Sequence, residues 1–360
     1  MMTEYDIHSD LAIPPGEYLL EVAEEMGINQ ADLARRMGRP PQAINEIVKG
    51  EKIITPETAL QLEQVLGVPA HIWTGLEAEY QLVQARQDEA KLLQQEVSLL
   101  ERFPYKEMVK LGLVHKVRDP QQKVRELWQF FGVASLHNLG GVKAYVPAFR
   151  QAVKLKAAPE ALLAWLRGGE LKARAIKTKP YDESSLRGSL DDIRSLSNEE
   201  PKEFLPKLES MLAESGVAFI LQPRLPKTYV NGATFWLAAD KAVLMMSIRG
   251  SWSDIFWFSL FHEIGHILLH DKRHIFLENL AEDPQWKKQE SEANTFACDT
   301  LISPKDYAAF ILTGEYTLAK IKAFAKQIRI HPGIIVGRLQ HEDRLPQNQH
   351  RLRVRYKWAA

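Results

Sequence analysis

The stretch FWFSLFHEIGHILLH, residues 256–270, constrains this 360-residue chain more than any other. Within it, His262, Glu263 and His266 form the pattern His-Glu-x-x-His, with apolar residues on both sides. On an α-helix, positions four apart share one face and lie about 6 Å apart along the axis, so both imidazoles can reach one ion. Glu263 sits beside the first histidine and is turned toward the space in front of that ion. A carboxylate there can take a proton from an attacking water and pass it to a leaving amine. Zinc is the expected ion, since imidazole and carboxylate ligands with one open position are its usual catalytic setting. A helix that needed only core would not place two histidines and a glutamate among Phe, Leu and Ile.

Such a site needs a third protein ligand. The downstream segment QESEANTFACDTLIS offers Glu290 and Glu292. Glu292 is followed by Ala293, Phe296 and Ala297, which places it near the packed face of a helix, with Glu290 pointing elsewhere. Glu292 is therefore the expected ligand. His270 continues the four-residue spacing, but a straight helix carries it about 12 Å along the axis from His262, too far to share an ion. A supporting or surface role is expected for it. Cys298 reads as a small buried residue.

The elements around this motif read as an α+β chain, mostly helical. GVAFILQP (216–223), ATFWLA and AVLMMSIRG are three short strands just ahead of the motif helix. Residues 1–76 read as a bundle of short helices with firm punctuation. Asn29 can cap QADLARRM, Pro40-Pro41 opens QAINEIVK, and Thr55-Pro56 starts ETALQLEQVLG. Residues 77–102, rich in Gln, Glu, Ala and Leu, read as one linker helix. A helical middle over 103–214 has Leu162, Leu163, Trp165 and Leu166 as expected core. The sheet and motif domain spans 215–342. In the tail, 343–360, RLRVRYKW alternates arginine with Leu352, Val354 and Tyr356, a pattern that suits either a strand or a disordered basic end.

A net charge of zero gives no global pull toward nucleic acid or membrane, so any such partner must meet a local patch. The single cysteine excludes an internal disulfide and any multi-cysteine zinc knot, and fits a reducing compartment. The polar, acidic start MMTEYDIHSD lacks the layout of a signal peptide, and no apolar run approaches the roughly 18 residues of a membrane span. A cytoplasmic protein with no membrane partner is expected.

HEIGHILLH followed by ESEANTFACDTLISP, with the lead-in GATFWLAADKAVLMMSIRGSWSDIFWFSLFHE and the distal IHPGIIVGRLQHE, resembles the ImmA/IrrE-type zinc metallopeptidases over roughly residues 215–342. The resemblance implies His262, His266 and Glu292 as zinc ligands and Glu263 as catalytic base. No motif marks an oxyanion-stabilising residue; Tyr307, His274 and His331 are candidates. At the other end, NQADLARRMG and PPQAINEIVKGEK resemble the helix-turn-helix of Xre-type regulators. The phrases IPPGEYL and NEIVKGEK are similar to the HigA-type antitoxins. In such motifs the second helix enters the major groove. Gln42 and Asn45 would then face base edges, Arg36, Lys49 and Lys52 would meet phosphates, and Ile44 and Ile47 would be core. Residues 1–80 carry 14 acidic and 5 basic side chains, the wrong sign for a strong DNA binder, although the basic ones cluster near these two helices. A helical module for dimerisation or for holding a partner protein is the alternative.

Together these features imply a zinc-dependent endopeptidase fused to a DNA-binding regulator. Its expected partners are operator DNA, a repressor or antitoxin as substrate, a toxin, and a second copy in a homodimer. The alternatives are a regulator whose zinc domain senses or scaffolds without cleaving, and a hydrolase of a small molecule. The strand pair at 233–248 is expected to offer an exposed edge to which a substrate segment could add.

Overall fold

The computed structural model describes residues 12–142, 158–228, 230–247, 252–270, 276–277 and 284–356. His274 and the end of the predicted third strand, residues 248–250, lie outside the described residues. The chain forms two compact units, Met1–Val97 and Ser98–Ala360. It is an α+β protein dominated by helix, with one small mixed sheet. No described helix is long and apolar enough to cross a membrane.

The first unit holds α1 (Pro15–Glu25), α2 (Gln30–Arg36), α3 (Pro41–Val48), α4 (Pro56–Leu66) and α5 (Ala70–Glu96). The starts follow the residues that predicted them. Asn29 Oδ1 accepts from the Asp32 backbone N–H at 2.9 Å, and proline opens α3 and α4 where a backbone donor is dispensable. Gly67 ends α4 at φ +70°, a left-handed geometry that suits a residue without Cβ. Leu19, Leu33, Ile44, Ile47, Leu62 and Trp73 form the buried centre. Trp73 belongs to the long helix, which starts at Ala70, and positions 76 and 77 lie inside that helix. Its first turns close the head: the Trp73 ring lies 5.3 Å from Tyr18, and the buried Glu77 carboxylate accepts the Ile54 N–H at 3.0 Å.

A 3-10 segment, Val97–Arg102, begins at the last residue of the first unit and runs into the second. It is followed by α6 (Tyr105–Lys110), α7 (Pro120–Phe131), α8 (Pro159–Ala175), α9 (Glu183–Ser195) and α10 (Pro201–Glu214). Leu162, Leu163, Trp165 and Leu166 of α8 are buried, as core residues. The Trp165 carbonyl accepts from the Gln222 side-chain amide at 3.1 Å, which fastens α8 to the sheet. The sheet has strand order β1 (Val217–Gln222), β3 (Lys241–Ser247), β2 (Gly232–Ala238) and β4 (Phe276–Leu277). β1 runs parallel to β3, and β2 runs antiparallel to both β3 and β4. The strand pair at 233–248 offers less edge than expected: β1 lies along β3, and β4 pairs with β2 at Ala233 and Thr234.

The motif lies on α11 (Ser253–Leu269), which is apolar nearly all round and buried accordingly. Its closest companion is α12 (Pro284–Leu301), followed by α13 (Pro304–Leu312), α14 (Leu318–Ile328) and α15 (Pro332–His341). A Cβ at Gly265 would lie 3.3 Å from Ala293 Cα, so this glycine lets α11 and α12 approach backbone to backbone. The basic tail docks rather than hangs free. Arg353 grips both carboxylate oxygens of Asp254 at 2.9 and 2.8 Å, and the guanidinium groups of Arg353 and Arg355 each lie 4.4 Å from the Trp252 ring. The Ser253 N–H donates to the Val354 carbonyl at 2.9 Å, and the Trp257 indole N–H donates to the Tyr356 hydroxyl at 2.7 Å. These contacts pin the first turn of α11.

Candidate functional site

Helical spacing brings the two motif histidines together as expected: their Nε2 atoms lie 3.0 Å apart, and both residues are about 1% exposed. The third group is Glu290, which corrects the expectation of Glu292. Glu290 places its carboxylate oxygens 3.5 Å from His262 Nε2 and 3.3 Å from His266 Nε2. Among the described residues, His262, His266 and Glu290 are the group whose ligand atoms all fall within 4.8 Å of one another. The reason lies in helical phase. Glu290 precedes the buried Ala293, Ala297 and Leu301 by three, seven and eleven residues, so it stands on the face of α12 that meets α11. Glu292 lies about 100° per residue away from that stripe and is instead bonded to His270.

His270 has its own place. It is the residue at which α11 ends, with φ −120° and ψ 164°, so its side chain does not follow the helical spacing. Its Nε2 stands 3.1 Å from Glu292 Oε2 and its Nδ1 2.9 Å from His266 Nδ1. A carboxylate only accepts, so His270 donates from Nε2, leaving Nδ1 bare to accept the His266 Nδ1 proton. His262 is fixed in the same sense by the Asn294 Oδ1 atom, 3.0 Å from its Nδ1. Both motif histidines thus present bare Nε2 lone pairs toward Glu290.

The electrostatics agree with a site for a cation. Burial, and then the neighbouring His266, pushes His262 down to about 4. Burial, and then His270, pushes His266 down to about 3. Both imidazoles are therefore neutral at physiological pH, the form that ligates. Burial raises the Glu290 carboxyl, and its Oε1 is buried without a hydrogen-bond partner. Two facing lone pairs and an orphaned carboxylate oxygen are costly in a dry interior unless a cation joins them. The donor set fits a divalent ion that accepts nitrogen and oxygen, zinc included.

Glu263 is fully buried and occupies the sheet side of this cluster. The Thr234 hydroxyl donates to its Oε2 at 2.5 Å. A Cβ at position 232 would stand 2.3 Å from Glu263 Oε1, so Gly232 is the residue type that leaves room for the carboxylate. Glu290 was weighed in the sequence and set aside in favour of Glu292, while Asn294, Thr234 and Gly232 were not singled out. The three-and-four-residue spacing onto Ala293 and Ala297 carried a signal for Glu290. Nothing in the sequence marked Thr234 or Gly232, whose role depends on where β2 crosses α11.

Two oxyanion candidates are committed elsewhere. Tyr307 donates its hydroxyl to Glu342 Oε2 at 2.7 Å beneath the Arg338 guanidinium, and burial followed by that bond pushes its phenol pKa up. His331 caps α15 through the Gly333 N–H at 3.1 Å. Cys298 is half-buried beside α15, and burial raises its thiol pKa.

In the head, Ile44 and Ile47 are buried, while Gln42 and Lys49 are exposed and Asn45 is half-buried on α3. Gln42 donates to Glu46 Oε1 at 2.9 Å, and Lys52 stands 3.6 Å from Glu46 Oε2. Arg36 donates to Asp32 Oδ2 at 2.8 Å. These exposed pairs are weak enough to be exchanged for phosphate contacts.

Comparison with known proteins divides along the same lines. The helix-turn-helix family matches residues 19–73, and the peptidase M78 family, described as an IrrE N-terminal-like domain, matches residues 254–339. Virulence-associated protein I of Dichelobacter nodosus is 38% identical over 82 residues, 22% of this chain and 76% of that protein. The uncharacterized HTH-type transcriptional regulator YddM of Escherichia coli K12 is 28% identical over 71 residues, 20% of this chain and 76% of that protein. Among solved structures, an addiction module antidote protein of a HigA family from Coxiella burnetii is 28% identical, covering 24% of this chain and 94% of its own, with a TM-score of 0.22.

Proposed function

The chain belongs to the helix-turn-helix family and joins that domain to an IrrE N-terminal-like domain of the peptidase M78 family; from this premise we propose that it is a zinc-dependent endopeptidase coupled to gene control. The observation that carries the reading is the buried Glu263 carboxylate beside the His262–His266–Glu290 group. A purely structural metal site has no use for a second carboxylate that does not ligate. Zinc, when bound, polarises the peptide carbonyl and acidifies water in front of it.

The protein's own groups do the rest. His262, His266 and Glu290 hold the ion, while Asn294 and His270 orient the two imidazoles. Thr234 fixes Glu263 by one oxygen, so the carboxylate faces the attacking water in a set direction. Glu263 takes the water proton as the oxygen adds to the peptide carbon, and returns it to the nitrogen as the C–N bond breaks. The products are a carboxylic acid and an amine. The full burial of Glu263 keeps bulk water away from the base.

The head implies operator DNA as a partner. Gln42 and Asn45 are the proposed base contacts; Lys49, Lys52 and Arg36 are the proposed phosphate contacts. A peptidase carried by such a head has a DNA-bound repressor or an antitoxin as its natural substrate class. A toxin is a further proposed partner, and a homodimer matches paired operator half-sites. Glu263→Gln should keep zinc and lose cleavage, whereas His266→Ala should lose both. Cleavage by Glu263→Gln at the wild-type rate would overturn the mechanism. A protein that holds zinc and regulates its operator without cutting anything would instead be a sensor.

A further inference from the structure

A cavity of about 310 Å³ lies along the α11–α12 seam, one turn from the candidate metal ligands. The seam is a ladder. His266 faces Glu290 and His262 faces Asn294, and at the next level Phe258 and Ser259 line the cavity with Cys298. The Phe258 ring lies 6.3 Å from the His262 ring. Asn231, at the other wall, immediately precedes Gly232, the residue against which Glu263 rests. The cavity walls thus stand one helical turn from His262 and one position from Gly232, although His262, His266, Glu290 and Glu263 do not themselves line it.

Much of its lining is apolar. Ile255, Phe258, Leu301, Ile302 and Ile334 supply the surface. Its two arginines and Gln340 are already engaged. Arg353 is held by both oxygens of Asp254 and by Gln340 Oε1 at 3.1 Å. The Arg338 guanidinium donates to the carbonyls of Cys298 and Ile302 and to Glu342. The Gln340 amide donates to the carbonyls of Pro346 and Gln349. A charged guest would have to break one of these bonds, whereas an apolar one would not. The volume is at the small end for ligand sites, enough for one large side chain rather than a whole cofactor.

We propose that this cavity is the subsite for a large apolar side chain, such as leucine, methionine or phenylalanine, on a substrate residue adjoining the cleaved bond. The proposal rests on the peptidase reading above, and the test separates the two. Cys298 is the chain's single cysteine and lines the cavity, so its alkylation by iodoacetamide reports occupancy without any cleavage. The probes are acetylated, amidated alanine pentapeptides with phenylalanine, glycine or glutamate at the centre, added to zinc-loaded Glu263→Gln protein. Alkylation should slow several-fold with the phenylalanine peptide and not with the other two. Equal rates with all three would overturn the subsite. Cys298→Trp, which fills the space, should shift the cleavage preference of the active protein from large apolar residues to alanine or glycine. An unchanged preference would overturn the subsite while leaving the peptidase intact. Protection by the phenylalanine peptide with no cleavage of any peptide by the wild type would uphold the cavity and sink the peptidase reading. Should Cys298→Trp fail to fold, the alkylation experiment decides alone.

Discussion

Replacing Gly232 by alanine tests the placement of Glu263 without touching it. The added methyl would stand 2.3 Å from Glu263 Oε1, 2.7 Å from Cδ and 2.8 Å from Cγ. Ordinary contact begins near 3.4 Å, so the carboxylate must retreat by about 1 Å. It cannot do so freely, because Glu263 is fully buried and its Oε2 is held by the Thr234 hydroxyl at 2.5 Å. A misplacement of about 1 Å in a catalytic group costs on the order of 10²-fold in rate, or roughly 2.7 kcal/mol in the barrier. None of the three candidate ligands is among the atoms nearest the new methyl, so zinc content should be unchanged. Overpacking should cost about 1–3 kcal/mol in stability, seen as a fall of roughly 2–4 °C in melting temperature for each kcal/mol. The assay is steady-state cleavage of a substrate peptide, with zinc content and thermal melting measured on the same sample. A folded, zinc-loaded Gly232→Ala protein that cleaves at nearly the wild-type rate would refute the assignment of Glu263 as a base held against β2.

Three further outcomes are expected. Glu290→Ala should abolish measurable zinc binding in a chelator competition. Glu292→Ala, acting through His270, should weaken it by about 10–100-fold; the reverse order would restore Glu292 as the ligand. In metal-free protein the ring-proton resonances of His262 and His266 should not titrate between pH 8 and 5, since burial pushes their pKa values down to about 4 and 3. The unfolded chain takes up those protons first, so metal-free protein should lose stability as pH falls through the ordinary histidine range, about 6.5. Midpoints near 6.5 in the folded protein would contradict the buried, neutral pair. In gel shifts, Gln42→Ala with Asn45→Ala should abolish operator preference, while Lys49→Ala should weaken binding to all DNA and lower the salt slope by about 1. Unchanged binding in the double variant would make the head a protein-binding module.

What the sequence revealed and what it withheld follow from the range of the physics involved. His262, Glu263 and His266 were legible because their geometry is set within one turn of one helix. Asn29 and the prolines at positions 41 and 56 were legible as helix starts for the same local reason. Glu290 was misjudged by weighing the immediate neighbours of Glu292. The stripe at 290, 293, 297 and 301 identifies the packed face, and adjacent positions on a helix point about 100° apart. The tail was ambiguous because alternating arginines carry no record of their partners. Arg353 finds Asp254 some 99 residues away in sequence, and burial of that pair with Trp252 turns a basic end into a fastening for the motif helix. Thr234 and Gly232 depend on how β2 crosses α11, a tertiary fact that no local pattern encodes. The start of α5 at Ala70 was hidden because Trp73 reads equally well as the end of the bundle or the beginning of the long helix.

The proposed function stands or falls with peptide hydrolysis by Glu263 on a regulatory protein. Its most direct test compares new protein N-termini in cells expressing the wild type and Glu263→Gln, at matched protein and zinc levels. Termini should appear only with the wild type, concentrated in one repressor or antitoxin or in the chain's own head, and flanked by a large apolar residue. Identical sets of termini from the two strains, across the stresses that change the operator's output, would contradict it.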